Sequence, residues 1–84
     1  MKTIYKYRLS GRYTTTLELP KQAQILSVQS QEGVPTLWAL VDTSKELEQR
    51  YFTVVGTGWE VEEEVCHIGT YMEGMFVWHV FEII

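Results

Sequence analysis

The chain has 84 residues, of which 45% are hydrophobic and 13% aromatic, and its formal net charge is −4. This length fits one domain, residues 1–84, and this apolar content excludes a disordered chain. A net acidic domain without a lysine or arginine cluster binds nucleic acid poorly, because affinity for that polymer comes from neutralising its phosphates, so no nucleic-acid partner is predicted.

The first part of the chain alternates polar with apolar residues, which is the period of a strand with one wet face. Lys2–Leu9 is the first predicted strand. Tyr13–Leu19 is the second and ends at Pro20, and Ala23–Gln31 is the third. Proline closes the second strand because it lacks the backbone N–H that a sheet requires.

The fourth predicted strand, Thr36–Asp42, is apolar on both faces. A strand of this kind is typically central in its sheet or pressed between layers, so Trp38 is predicted to lie in the core. Thr43–Gln49 is polar and is predicted to be a loop, and Arg50–Val55 resumes as the fifth strand.

A hairpin is the clearest feature of the second half. His67–Met72 and Met75–Phe81 are the predicted strands, and Glu73–Gly74 suits a two-residue turn with positive φ. This turn predicts that His67 and His79 lie on opposite faces of the hairpin. It also predicts three cross-strand pairs, which are Tyr71 with Phe76, Gly69 with Trp78, and His67 with Val80.

The fold class follows from the dominance of period-two patterning. No segment sustains an apolar period of 3.6 residues, so the chain is predicted to be all-β, a compact antiparallel sandwich or small barrel of about six to seven strands. Small sheets have exposed edges, and pairing with a second copy is a common way to cover them. A homo-oligomer is therefore predicted.

Cysteine content and hydropathy predict a cytoplasmic protein without a membrane partner. Cys66 is the one cysteine, so no intrachain disulfide can form, whereas small secreted domains usually depend on disulfides. The longest apolar run, Met75–Phe81, is interrupted by His79 and is far too short to cross a bilayer.

No complete catalytic or metal-binding motif is present, and neither enzymatic activity nor a cofactor is predicted. Cys66 and His67 are neighbours in a predicted strand and point to opposite faces, so they cannot converge on a metal. A nucleophile also needs a base beside it and a group that orients the base, and the spacing of the histidines offers no such order. Cys66 is expected to be a buried apolar group.

A binding role is the main functional prediction, because the chain has more aromatic residues than minimal packing needs. Rings give a large contact area at low entropic cost. Trp59 follows the glycine turn Gly56-Thr57-Gly58, which is either a tight turn or a weak anion cradle, and Trp59 is predicted to be the exposed tryptophan. The candidate ligand-binding residues are Arg8, Arg50, Thr57, Trp59 and His79.

Two roles are open for Arg50, which precedes Phe52 at the start of a predicted strand. An arginine beside a ring can hold a phosphate or carboxylate while the ring stacks on a base or sugar. The alternative is a salt bridge with Glu46, Glu48 or Asp42.

An acidic run, Glu60, Glu62, Glu63 and Glu64, is the second candidate site. It is either a solvated segment or the contact surface for a basic protein partner. The second interpretation makes the chain an inhibitor that mimics nucleic acid or engages a basic protein.

Three stretches together resemble a small uncharacterised protein family of bacteriophages, prophages and bacteria. They are Leu-Trp-Ala-Leu-Val-Asp at 37–42, Gly-Thr-Gly at 56–58 and His-Val-Phe-Glu at 79–82. Trp59 departs from this resemblance, since histidine is expected at that position.

The resemblance implies a phage origin and therefore the host cytoplasm as the place of action. Small phage proteins without enzymatic activity often bind a host component, either a nucleotide signal of bacterial immunity or a host protein. The leading hypothesis is a protein that sequesters a small anionic, nucleotide-like ligand, such as a cyclic nucleotide or an ADP-ribose derivative.

Overall fold

The computed structural model describes residues 1–10, 14–62 and 64–84, and within them it confirms the all-β prediction. Seven antiparallel strands form two sheets, and no helix occurs in these ranges. The strands are β1 (Lys2–Arg8), β2 (Thr15–Pro20), β3 (Gln24–Gln31), β4 (Val34–Asp42), β5 (Leu47–Gly56), β6 (Val65–Glu73) and β7 (Phe76–Ile83). In the same ranges, no helix has the length and apolar character that a membrane span needs. Tyr13, predicted to open the second strand, lies outside the described residues.

The two sheets pack face to face. One has the strand order β1-β4-β3 and the other β2-β5-β7-β6, so β4 is central in its sheet, as its two apolar faces predicted. The inward side chains meet in one core. The fully buried side chains of this core include Leu19, Leu37, Val41, Phe52 and Val80.

Trp38 lies outside this core, contrary to the prediction. Its neighbours Leu37 and Ala39 are fully buried and point between the sheets, so strand alternation turns Trp38 to the opposite face. There it is half-buried and stands across from Lys6 of β1. A strand with two apolar faces does not reveal which face meets the second sheet.

The predicted loop Thr43–Gln49 is shorter in the structure, because β5 already begins at Leu47. Leu47 pairs with Pro20, and Glu48 pairs with Leu19. Pairing with β2 supplies ladder hydrogen bonds to a segment whose own sequence has weak strand preference.

The β6–β7 hairpin has a different register from the predicted one. Its turn is Gly74–Met75 and not the predicted Glu73–Gly74, with Gly74 at φ 59°. Each β6 residue near the turn therefore pairs with a residue farther along β7 than predicted. Tyr71 pairs with Trp78, and Gly69 pairs with Val80. The predicted pairs of these residues were therefore wrong.

A bulge interrupts β6 between His67 and Gly69, where Ile68 is the extra residue. A bulge reverses the alternation of side chains on its far side. His67 therefore pairs with Phe81, and its predicted pair with Val80 was wrong.

Gly69 allows β6 of one sheet to approach β3 of the other. A Cβ atom added at Gly69 would lie 2.6 Å from Cγ2 of Val28, and Val28 is almost fully buried. At this distance only glycine fits, so Gly69 lets the sandwich close along the β3–β6 side.

Strands β5 and β6 lie on either side of β7, and both are antiparallel to it. They therefore run parallel to each other, and residues 57–64 must cross from one to the other. This crossover segment carries Trp59 and the acidic run.

Candidate functional site

The crossover segment begins with a tight turn at the end of β5. The backbone N–H of Trp59 donates to the carbonyl of Gly56 over 3.1 Å. Gly58 has φ +89°, a conformation that favours glycine. A Cβ at Gly56 would lie 3.0 Å from two indole atoms of Trp59, so the bare Gly56 backbone lets this indole lie against it.

Three aromatic rings meet beside this turn. The ring centroids of Trp59 and Trp78 are 5.5 Å apart with an interplanar angle of 85°. Those of Phe76 and Trp78 are 6.0 Å apart with an angle of 30°. Phe76 and Trp78 share one face of β7 because they are two residues apart. Trp59 is 56% exposed and Phe76 63% exposed, so the cluster presents ring surface to solvent.

These rings line a groove of about 420 Å³ at one end of the sandwich, within the ordinary size range of small-molecule sites. Among the described residues, none of its lining side chains is a lysine or arginine. We call it the aromatic groove, and its lining residues are Gly56, Thr57, Trp59, Met75, Phe76, Val77 and Trp78.

Thr57 connects the groove to a row of polar side chains on the outer face of the four-stranded sheet. Its Oγ1 lies 2.8 Å from Nε2 of His79. Thr70 Oγ1 lies 3.1 Å from Nδ1 of His79 and 3.0 Å from Nε2 of His67. A neutral imidazole satisfies two such hydroxyls, since one ring nitrogen donates and the other accepts.

The prediction that His67 and His79 lie on opposite faces was therefore wrong. The bulge at Ile68 brings both histidines to the same face, where Thr70 bridges them. His79 does not line the aromatic groove and bounds it only through Thr57.

Arg50 forms a half-buried ion pair, and its partner is none of the three predicted acids. Its Nε donates to Oε2 of Glu82 over 2.7 Å and its Nη2 to Oε1 over 2.8 Å. Its Nη1 donates to the carbonyl of Ala23 over 2.7 Å. The hydrogen bonds to Glu82 raise the pKa of Arg50 further. This bidentate geometry uses most of the donors that a ligand would need.

Arg8 is the last residue of β1 and is exposed. It stands across from Thr36 in the three-stranded sheet and does not line the aromatic groove. Of the five predicted ligand residues, the structure thus brings together Thr57, Trp59 and His79, and it leaves Arg8 and Arg50 elsewhere.

Glu60, Glu62 and Glu64 are all exposed on the crossover segment, and Glu63 lies outside the described residues. In the described part of the chain none of these three carboxylates forms an ion pair. Trp59 and Val61, which alternate with them, are also exposed.

Cys66 is exposed rather than buried, because it lies on β6, an edge strand. No group of three or more histidine, cysteine, aspartate or glutamate side chains converges within residues 1–10, 14–62 and 64–84.

Five groove residues were not predicted as site residues, namely Gly56, Met75, Phe76, Val77 and Trp78. The signal available was the spacing of Phe76 and Trp78, which puts two large rings on one strand face. The sequence did not reveal that Gly56 pairs with Trp78. This pairing places the glycine turn beside the rings of Phe76 and Trp78.

The fold and the groove define a small two-sheet β-sandwich that presents an aromatic cleft at one end. A family described as Domain of unknown function (DUF7352) matches residues 1–84, and the chain belongs to that family. Searches of curated proteins and of solved structures found no match. This membership agrees with the predicted uncharacterised family.

Proposed function

We propose that the domain is a non-enzymatic binding protein that holds the planar base of a nucleotide-like ligand in the aromatic groove. The observation that carries this proposal is the corner of exposed rings formed by Trp59, Phe76 and Trp78. Burial of exposed indole and phenyl surface lowers the free energy, and the flat face of a base can stack on these rings.

The angles between the rings support a planar ligand. Phe76 and Trp78 are inclined by only 30°, so they form one wall of the corner. Trp59 stands at 85° to Trp78 and forms the second wall. A base that stacks on the first wall meets the second edge to face, which is a favoured aromatic arrangement.

Polar atoms at the groove provide specificity for such a ligand. The Thr57 hydroxyl donates to the Val77 carbonyl over 3.4 Å at the groove wall. A carbonyl oxygen has two lone pairs, so that of Val77 can also accept from the amino group of a base, while the ring surface supplies affinity.

The biological setting we propose is the one that the resemblance implies. A phage-encoded protein of this kind withdraws a nucleotide signal of bacterial immunity from the host cytoplasm, and a homo-oligomer multiplies the number of grooves. This role requires binding without turnover of the ligand.

Isothermal titration calorimetry with adenosine, guanosine, cyclic AMP and cyclic ADP-ribose tests the proposal. At least one of these compounds is expected to bind, and Trp59→Ala is expected to weaken its binding about two- to tenfold, since one edge-to-face aromatic contact contributes about 0.5–1.5 kcal/mol. Tyr51→Ala is the matched control, because Tyr51 is an exposed ring that does not line the groove. Absence of binding by all four compounds, or equal affinities of the two variants, would contradict the proposal.

A second candidate function is supported by the alternation of acidic and apolar residues on the crossover segment. Trp59 and Val61 are exposed between Glu60 and Glu62. An apolar anchor with a charged rim is a common arrangement at protein interfaces. Under this alternative the domain inhibits a basic host protein by contact.

Charge reversal separates the two functions. If the acidic surface is the binding surface, a lysine-rich peptide should change the fluorescence of Trp59, and Glu60→Lys combined with Glu62→Lys should abolish that change. Glu18→Lys, at an exposed position of β2, is the control. If the double variant responds to the peptide as the unmodified protein does, this alternative is wrong.

A further inference from the structure

We propose that a cavity lined by lysines, at the opposite end of the sandwich from the aromatic groove, is a binding site for a phosphate group. The cavity has a volume of about 320 Å³. We call it the lysine cavity, and its lining residues are Lys2, Lys21, Gln22, Gln24, Leu40, Val41, Asp42 and Lys45. This proposal rests on different residues from the proposed function and does not depend on it.

Three of the seven lysines and arginines of the chain converge here. Lys2 comes from β1, Lys21 follows β2, and Lys45 lies between β4 and β5. The two connections are held together, because the backbone N–H of Lys21 donates to the carbonyl of Glu46 over 2.8 Å. The fold thus assembles a basic cluster that no segment of the sequence contains.

The charges of these lysines are largely available to a ligand. Within the described residues neither Lys2 nor Lys45 forms an ion pair, and Lys45 Nζ donates only to the neutral Gln22 side chain over 2.5 Å. Lys21 Nζ lies 3.6 Å from Glu46 Oε2, with side chains 54% and 86% exposed. An exposed pair of this kind is weak, so a phosphate can displace it.

Asp42 is the one acidic residue among those that line the cavity, and its Oδ1 is already occupied. It accepts from the amino group of Met1 over 3.3 Å and from the backbone N–H and hydroxyl of Ser44 over 3.0 and 2.6 Å. The hydrogen bonds from Ser44 lower the pKa of Asp42 to about 2. Its carboxylate stays ionised at neutral pH and reduces, without cancelling, the positive charge of three lysines.

Glu46 and Glu48 lie beside the site, and their carboxylates oppose the binding of a highly charged anion. Together with Lys21, Gln22 and Lys45 they line a neighbouring cavity of about 440 Å³. Glu48 accepts from the backbone N–H of Gln22 over 3.3 Å. The cluster therefore suits a small, doubly charged group such as a phosphate better than a long polyanion, which would also meet these carboxylates.

The lysine cavity and the aromatic groove are too far apart to hold one small ligand within one chain. β5 runs from Leu47, paired with Pro20 near the lysines, to Gly56, paired with Trp78 at the groove. The nine steps between its ten residues span about 30 Å at 3.3 Å each. The phosphate site is therefore a separate site.

The proposal is tested by titration calorimetry at low ionic strength with inorganic pyrophosphate, ADP and adenosine. The protein used should have a free Met1 amino group. Pyrophosphate and ADP are expected to bind, and Lys21→Gln combined with Lys45→Gln should weaken both about tenfold or more. Lys6→Gln combined with Arg8→Gln removes the same charge from the outer face of the three-stranded sheet and should leave both affinities within about twofold. Asp42→Asn should strengthen binding, since it removes the opposing charge.

Two results would overturn the proposal. One is the absence of pyrophosphate and ADP binding, and the other is an equal loss in the two double variants, which would indicate attraction to net charge alone. Adenosine separates this site from the groove. If adenosine is a ligand of the groove, its binding should be weakened in Trp59→Ala and unchanged in the Lys21 and Lys45 variant, so either site can fail without the other.

Discussion

Replacement of Arg50 by methionine is expected to lower the free energy of unfolding by about 2–4 kcal/mol, because it leaves the Glu82 carboxylate half-buried without its partner. The two side chains are only 18% and 21% exposed, so water compensates little of this loss. The substitution also removes the bond from Nη1 to the Ala23 carbonyl, which connects β5 to the start of β3. Urea unfolding followed by circular dichroism measures the change.

Two further variants separate this structural role from ligand binding. Arg8→Met removes an exposed arginine and is expected to change stability by less than about 0.5 kcal/mol. Combining Arg50→Met with Glu82→Leu should recover part of the loss, because no unpaired charge then remains. A stable Arg50→Met variant that no longer binds nucleotides would instead place Arg50 in the binding site.

Substitution of Gly69 by alanine is expected to destabilise the domain by about 1–3 kcal/mol, the usual cost of forcing an extra carbon into a packed core. The new Cβ would lie 2.6 Å from Cγ2 of Val28. Val28 cannot move aside easily, because it is buried and β-branched, with a restricted side-chain torsion. Without this contact alanine would be favourable, since glycine weakens a strand interior.

A double-mutant cycle with Val28→Ala isolates the contact. Val28→Ala alone should destabilise the core by leaving a cavity, whereas the added methyl group at position 69 should fill part of that space. The double variant is therefore expected to be more stable than the sum of the two single effects predicts. Strict additivity, or a Gly69→Ala variant as stable as the unmodified protein, would show that β3 and β6 do not depend on this approach.

Much of the fold could be predicted from the sequence because strand alternation is a local property. Most of the seven strands follow from the alternation of polar and apolar residues, and the central position of β4 follows from its two apolar faces. The Ile68 bulge could not be predicted in this way, since one extra residue leaves no mark in the alternation until the partner strand is known. That residue alone decides that His67 and His79 share a face.

The site was predictable only where its residues are close in sequence. Thr57 and Trp59 belong to one glycine turn, and this turn does lie at the aromatic groove. The partner of Arg50 could not be predicted, because Glu82 is brought to it by the β5–β7 register. The lysine cavity was missed for the same reason, since its three lysines come from three separate elements.

The central claim is that the aromatic groove binds a planar base, and NMR of the three tryptophan indole N–H groups tests it most directly. Adenosine and guanosine are suitable probes, because neither carries a phosphate for the lysine cavity. On titration with the one that binds, the indole signals of Trp59 and Trp78 are expected to shift together, while that of Trp38, on the outer face of the other sheet, stays in place. Unchanged signals of Trp59 and Trp78 with both nucleosides, or a shift confined to Trp38, would contradict the claim.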